Sequence, residues 1–525
     1  MIKRLFKKEY LFPLIFVLVA LHPLYEMDYL FAAFFKSFGG FRPSVLIDYV
    51  IFPLLVIWAF LAFEKRKKRV LIFVGVYGLL LLIYFIPHCL TGLYLQDNIH
   101  LSYTFLFSYK DEIVYLLTLM LPMVYVYVFN LQELNAVIVE RITVTLSAVV
   151  ALPIVISNFL QFGYTTYLDE MAGSFFDWFA LPFNDGPNHP RRYATKFFFE
   201  EGNTIGILLV IVLPLLYYFC FRNKDKRKRF AYSLLIALHS LAMLILGTRV
   251  ASYCAILIPL VLIAVQLFTL VIKTEKLQKS FLALCVFFTV INGMILPYSP
   301  AYQNQQFDAS DFSTLKLDDD IRESYRNGIE EGAEGMEPFG PAWIDYYCYM
   351  FQQYKFLIGV TPAEYYEYWY DYRVDPKFWV DLIFDYELEE RVNSRQLETI
   401  FYKYKWKLLT PAQKLTGFTW SLFMWGGITI ERDFIVHFYT YGYLGFPLIM
   451  GPWFVIVAYI LYQFLRGFKE GKWNNYNIIL LMSLALAFAT SYLSGHGFDE
   501  LSVSMFVALI ATCLLKNLGV KDGQA

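Results

Sequence analysis

Long apolar runs, separated by short polar or charged stretches, fill most of this 525-residue chain. A membrane-spanning helix takes about 20 mostly apolar residues. The pattern predicts about twelve such helices, at roughly 10–26, 44–63, 70–90, 113–130, 136–160, 203–222, 230–247, 250–272, 280–298, 434–465, 476–494 and 499–516. The 434–465 run exceeds one bilayer crossing, so it either tilts or begins above the membrane. Ser494-Gly495-His496-Gly497 makes a tight connection between the last two spans. One interval breaks the rhythm: from Ser299 to Asp433 the chain turns polar, and a loop of that length is expected to be functional. The expected fold class is an all-α polytopic membrane protein. Spans 1–9 lie in residues 1–298, a large partly helical extracytoplasmic loop domain covers 299–433, and spans 10–12 with a short tail follow in 434–525.

Composition agrees with the pattern. The chain is 58% hydrophobic and 17% charged, against roughly 45–50% and about 25% for soluble domains, and its mean hydropathy is +0.48. A net charge of −1 offers no basic surface for nucleic acid. Cys89, Cys220, Cys254, Cys285, Cys348 and Cys513 are scattered, so neither a disulfide framework nor a zinc spacing emerges. The start, MIKRLFKKEY before LFPLIFVLVALHPL, lacks a small-residue cleavage site and reads as a retained first span. The polar insert carries 23 acidic and 13 basic residues, a formal charge of −10, and six of the ten tryptophans.

Lys and Arg in short loops set orientation. Lys3, Arg4, Lys7 and Lys8, EKRKKR (64–69), RNKDKRKR (222–229), Lys273, Lys276, Lys279, Arg466, Lys469 and Lys472 all fall on one side if both termini are cytoplasmic. The insert, the 161–201 loop, Arg249 and His496 then face outward.

Polar residues at the outer ends are the candidates for chemistry. Arg249, in LILGTRVAS, is either a snorkelling anchor paired to a carboxylate or a phosphate ligand. Glu200, Glu201 and Asn203 open a span, where carboxylates suit the helix dipole; capping alone would account for them. HPRRYATK (189–196) sets Arg191, Arg192 and Lys196 on the outside, a candidate anion site or a solvated loop. Glu431, Arg432 and Asp433 stand at the top of the span after the insert; a carboxylate there is a candidate general base or a helix cap. His437 follows as a buried histidine or a functional one. Within the insert, NSRQLETIFYKYKWKLL (393–409) reads as an amphipathic helix led by Arg395. YYEYWYDYRVDPKFW (365–379) is dense in rings that suit sugar stacking or the surface of the outer leaflet. Asp318-Asp319-Asp320 is an acidic run without metal-site spacing.

Taken together these segments resemble the O-antigen ligase and O-antigen polymerase family of bacterial membrane glycosyltransferases. EGNTIGILLVIVLPLL (201–216) stands where the family has an ANELG-type span opening. GTRVAS (247–252) matches a GTK/RTA turn, and Asn393-Ser394-Arg395 with Trp406 matches an SGR element before a tryptophan. Glu431 and Asp433, then Tyr441, Gly442 and Gly445, match E-x-D followed by YG-x-x-G, and Gly495-His496 matches a late GH. The likeness covers nearly the whole chain. It departs from the lipopolysaccharide ligases in having Glu431, eleven residues before Gly442, where they carry a His-Asn type motif. Glu200 and Glu201 also precede Gly202-Asn203, so the family's ANE glutamate is not aligned.

The resemblance implies a donor glycan on undecaprenyl diphosphate and a glycan, lipid or wall-polymer acceptor. It implies no nucleotide, cofactor or metal, and other polysaccharide-assembly membrane proteins as partners. Arg249 and Arg395 would stabilise the leaving diphosphate, and Glu431 would take the acceptor's proton. Arg191, Arg192, Arg432, Asp433, His496, Glu201 and Asn203 would line the substrate. Polymerisation of repeat units is the first expectation and ligation of a finished glycan the second. A polyprenyl-linked glycan flippase also suits about twelve spans, although such transporters usually show internal repeats and mid-membrane polar groups. A membrane assembly or receptor protein whose insert binds a partner is a further class.

Overall fold

A computed structural model describes residues 8–27, 30, 43–62, 67–98, 106–132, 134–167, 170–180, 183, 188–310, 317–359, 363, 365–391, 393–424, 428 and 430–519. Lys3, Arg4, Lys7, residues 64–66 of the basic run and Trp425 lie outside these residues. Among the described residues the chain is helical without a strand. The helices used below are α1 (Lys8–Tyr25), α2 (Phe52–Ala62), α3 (Lys67–Asn98), α4 (Tyr109–Asn130), α5 (Ala136–Phe159), α6 (Gly202–Arg222), α7 (Lys226–Ile245), α8 (Arg249–Val271) and α9 (Lys279–Ile295). They continue with α10 (Pro300–Ser310), α11 (Asp319–Gly332), α12 (Pro341–Tyr354), α13 (Pro376–Asp385), α14 (Ser394–Leu408), α15 (Asp433–Arg466), α16 (Asn475–Leu493) and α17 (Leu501–Leu518).

Ten helices among the described residues are long and apolar enough to cross a membrane. Two further expected spans are present as shorter apolar helices, Tyr10–Tyr25 and Ser44–Phe60. The chain divides into two compact units: residues 1–70, 118–307 and 452–525 form the first, and 71–117 with 308–451 form the second.

In the first unit α6 is the central element. It is apolar on every face, and 89% of its most hydrophobic stretch is buried, as expected of a helix enclosed by others. It packs against α5, α7, α8, α16 and α17. Polar side chains tie this bundle internally. His239 of α7 donates through Nε2 to the Leu209 carbonyl of α6 at 2.8 Å and meets Ser147 Oγ of α5 through Nδ1 at 2.7 Å. Pro259 removes the amide that would bond the Ala255 carbonyl, and Asn292 Nδ2 of α9 donates to that carbonyl instead, at 2.9 Å.

The second unit has an aromatic core. Trp343, Tyr347, Phe351, Tyr370, Phe378, Trp379, Phe401, Tyr402, Phe418 and Phe423 are all buried in one cluster. The aromatic run 365–379 therefore supplies structure more than a sugar-stacking surface: Tyr370, Phe378 and Trp379 are buried, and Tyr368 stays exposed. Large rings gain most by leaving water, so a polar segment with one small core concentrates them inside. A buried ion pair completes that core. Lys405 Nζ lies 3.0 Å from Asp375 Oδ2, and the hydroxyls of Tyr370 and Tyr404 donate to the same carboxylate at 2.6 and 3.1 Å. Burial pushes the Lys405 ammonium below its ordinary range, against the pull of Asp375.

The long α15 is two helices joined at Gly442, whose φ of 68° and ψ of −169° are open essentially to glycine alone. Gly417, at φ 81°, packs back to back with it. The break frees carbonyls, and the loop before the helix takes them up. Phe418 N donates to Tyr439 O at 2.9 Å and Thr419 N to Thr440 O at 3.2 Å. Tyr84 of α3 donates to Tyr441 O at 2.7 Å. His88 joins Thr416 O at 2.8 Å to Glu112 at 3.1 Å, and Glu112 accepts from Ser421 N at 2.6 Å. Gly442 of the YG-x-x-G motif is thus a backbone requirement, whereas Gly445 leaves room for the Tyr84 ring.

A Cβ on Gly442 would stand 2.5 Å from the Lys414 carbonyl and 2.6 Å from the Gly417 nitrogen. Gly442→Ala is expected to lower stability by about 1–3 kcal/mol or more, read as a lower thermal midpoint of the solubilised protein; an unchanged midpoint would refute the interlock. Asp381 gives a pH prediction. Burial raises its carboxyl from 3.8 to about 6 despite Lys377 beside it. An acid whose folded pKa is raised binds its proton more tightly when folded, so stability falls as pH rises from about 4 to about 6. Asp381→Asn should flatten that part of the thermal-midpoint profile, and a profile identical to the parent would contradict the assignment.

Candidate functional site

In the second unit Arg395 and Glu431 are brought together across 36 positions of sequence. Asn393 caps α14, its side chain accepting from Arg395 N at 3.1 Å. This fixes Arg395 in the first turn. Its Nε donates to Glu431 Oε2 at 2.7 Å, and Nη2 reaches the same oxygen at 2.7 Å. Both side chains are about one-third exposed, 34% and 36%, so the pair reaches solvent. The neighbours hold it in place. Arg432 Nη2 donates to the Arg395 carbonyl at 3.0 Å and to Thr399 Oγ1 at 2.6 Å, and Glu431 N donates to the buried Glu398 at 3.3 Å. Arg432 therefore acts as a strut between the start of α15 and α14. Asp433 and His437, one turn apart on α15, are both fully buried.

The first unit carries the other sequence candidates. Arg249 is exposed at the first position of α8, directly after a turn in which Gly247 has φ +72°. The segment 194–196 lies against that turn. Thr195 N donates to Ile245 O at 3.1 Å, and a Cβ on Gly247 would stand 2.5 Å from the Ala194 Cβ. Tyr167 donates to the Gly247 carbonyl at 3.3 Å.

The HPRRYATK cluster divides. Lys196 is buried, its ammonium donating to the Glu200 carbonyl at 2.5 Å, and burial lowers its pKa against the pull of Glu201 and Glu200. Arg191 is exposed, donates to Asn304 Oδ1 at 3.2 Å and lies over the Tyr167 ring. Arg192 donates to the Glu170 carbonyl at 3.1 Å. Arg191 and Arg249 are thus exposed and Arg192 partly exposed, whereas Lys196 is withdrawn.

Beyond Lys196 the character reverses. Glu200 and Glu201 line a cavity of about 190 Å³ with Glu26, Asp48, Asp499 and Glu500. Burial, with Glu26 and Asp499 nearby, pushes the Glu500 carboxyl well above its ordinary range. His496, at φ +58°, contacts Asp499 Oδ2 through Nδ1 at 3.1 Å, and its carbonyl accepts from Thr204 at 3.3 Å. Asn203 sits in the first turn of α6. His22 lies between Asp48, 2.7 Å from Nε2, and Glu26, 3.3 Å from Nδ1. These three groups lie close enough to share a metal ion, but both ring nitrogens already face carboxylates. Sequence reasoning missed Glu26, Asp48, Asp499 and Glu500; Asp48 within SVLIDYVIF was the available signal, an ionisable residue in an apolar run.

The strut and the pair respond differently to truncation. Arg432→Ala should lower the thermal midpoint and raise hydrogen exchange at 430–433, since it strips partners from partly buried groups, worth about 1–3 kcal/mol. Arg395→Ala should leave the midpoint within about 1 kcal/mol, because a part-exposed pair contributes little. The reverse ranking would remove the structural role given to Arg432.

Residues 8–521 match the family model described as O-antigen ligase like membrane protein. Neither the curated proteins nor the solved structures compared with the chain gave a match.

Proposed function

The chain belongs to the O-antigen ligase-like membrane proteins, and from that premise we propose that it transfers a glycan from a lipid-linked diphosphate to an acceptor hydroxyl. The observation that carries this reading is the solvent-facing Arg395–Glu431 pair. The donor is proposed to be a repeat unit on undecaprenyl diphosphate and the product a longer chain, at the outer face of a bacterial cytoplasmic membrane. An incoming phosphate competes with Glu431 for the Arg395 guanidinium, since both offer the planar fork its bidentate geometry. That exchange releases the carboxylate beside the reacting centre. The acceptor oxygen then attacks the anomeric carbon and its proton passes to Glu431. The bond from that carbon to the diphosphate oxygen breaks, and the electron pair leaves on the lipid diphosphate. Arg395 opposes the growing charge at that moment, which is when a cation accelerates the step.

Arg249, Arg191 and Arg192 of the first unit are proposed to bind phosphate. The acid-lined cavity would repel it, so Glu201 is assigned to hydroxyl-bearing groups. His496, held by Asp499, is placed with that acidic set, and Asp433 and Arg432 position Glu431. The second reading, ligation to a separate lipid or wall acceptor, is favoured by the description of the matched family.

Purified protein given a lipid-diphosphate glycan, with and without a separate acceptor, tests both readings. Polymerisation yields a ladder of longer chains without added acceptor; ligation yields only acceptor-linked product. Glu431→Gln should reduce turnover on the order of 10²–10⁴-fold, and Arg395→Ala and Arg249→Ala on the order of 10²-fold or more, with insertion intact. Normal product from Glu431→Gln would remove the carboxylate from the chemistry.

A further inference from the structure

At another place in the first unit, a second cavity, of about 170 Å³, is bounded by the end of α6, by α8, α9 and α16, and by the 272–278 connection. It sits where RNKDKRKR begins, and the positive-inside pattern assigns that end to the cytoplasmic leaflet. Leu262, Phe281 and Ile479 in its wall are buried. The polar lining has separated signs. Arg222, the last residue of α6, and Glu275 border the same cavity, yet no ion pair joins them. Glu275 instead accepts from Asn475 N, at 3.5 Å. Asn475 also lines the cavity, and its side-chain oxygen is buried with no hydrogen-bond partner.

An orphaned buried acceptor is costly unless a donor reaches it. Here it belongs to the residue whose backbone amide donates to the Glu275 carboxylate, so a cationic donor beside both would satisfy both. An anion would go to the guanidinium. Apolar walls at the ends of membrane helices favour a lipid as the molecule that carries both charges.

We propose that this cavity holds the headgroup of a phospholipid bearing a primary amine, with its phosphate on Arg222 and its ammonium between Glu275 and Asn475 Oδ1. The site is separate from glycosyl transfer and does not depend on that reading. Three ammonium hydrogens serve two acceptors and leave one for water. A trimethylated headgroup has none to give, and a glycerol headgroup lacks the positive charge. The lipid would fasten α6, α8, α9 and α16 together at this end.

The test is native mass spectrometry of the delipidated full-length protein, with phosphatidylethanolamine, phosphatidylcholine and phosphatidylglycerol offered at equal concentration. Phosphatidylethanolamine should be retained on the order of tenfold over the other two, a difference of about 1.4 kcal/mol. Glu275→Gln should bring it down to the phosphatidylcholine level, and Arg222→Gln should weaken all three, with Arg222→Lys restoring part of the loss. Asn475→Asp should raise phosphatidylethanolamine retention, a gain that a misfolded variant would not give. Equal retention of the three lipids, or an unchanged preference in Glu275→Gln, would overturn the proposal. So would displacement of the lipid by soluble phosphoethanolamine at equal concentration.

Discussion

The second unit depends on how one helix is allowed to break. At Gly442 the helical ladder of α15 stops, and the carbonyls of Tyr439, Thr440 and Tyr441 lose their ordinary partners while remaining buried. Buried carbonyls must be satisfied elsewhere. Two amides of the loop at 418–419 and the Tyr84 hydroxyl satisfy them. The chain on either side is committed by that repair. The turn at Gly417 must lie against Gly442, Thr416 must meet His88, and Ser421 must meet Glu112. The N-terminal piece of α15, which follows Glu431, is thereby fixed to the loop before it and to α3 and α4. The position of a charged residue at the head of the helix is thus set by backbone bonds three turns below it.

Charge is handled by three different means. Where it is deeply buried, as at Lys405 and Asp375, two tyrosine hydroxyls complete the shell, and removal of one partner would leave the other stranded. Where it reaches solvent, as at Arg395 and Glu431, the pair contributes little stability. Where like charges gather, around the cavity lined by Glu26, Asp48, Glu200, Glu201, Asp499 and Glu500, a proton is held more tightly, as Glu500 shows. The same side-chain chemistry is a brace, a latch or a reservoir according to its exposure and company.

The insert shows why composition misleads about surfaces. Its tryptophans and tyrosines suggested a sugar-stacking face, yet Trp343, Tyr370 and Trp379 form its core. Aliphatic side chains such as Leu357, Val380, Leu382 and Ile383 share that core, and the rings add the largest buried surfaces to it. Arg395 and Glu431, the polar pair proposed to meet the substrate, stay partly exposed instead.

Hydrophobic runs of membrane length determined, without any fold, that the chain is helical and polytopic. That follows because the need to pair every backbone group in lipid acts locally on each segment; the ordered set of weak motifs pointed to the family that the match over residues 8–521 shows. The glycines of YG-x-x-G and the turn before Arg249 were legible as motifs, and only the tertiary structure gave their reason: a Cβ there would meet the Lys414 carbonyl at Gly442, the Tyr84 ring at Gly445 and Ala194 at Gly247. It alone joined Arg395 to Glu431 and turned Arg432 into a strut. It also buried Lys196 away from its neighbours Arg191 and Arg192, and gathered six carboxylates from four stretches of chain. Those outcomes depend on distances between residues far apart in sequence, which periodicity and composition do not carry.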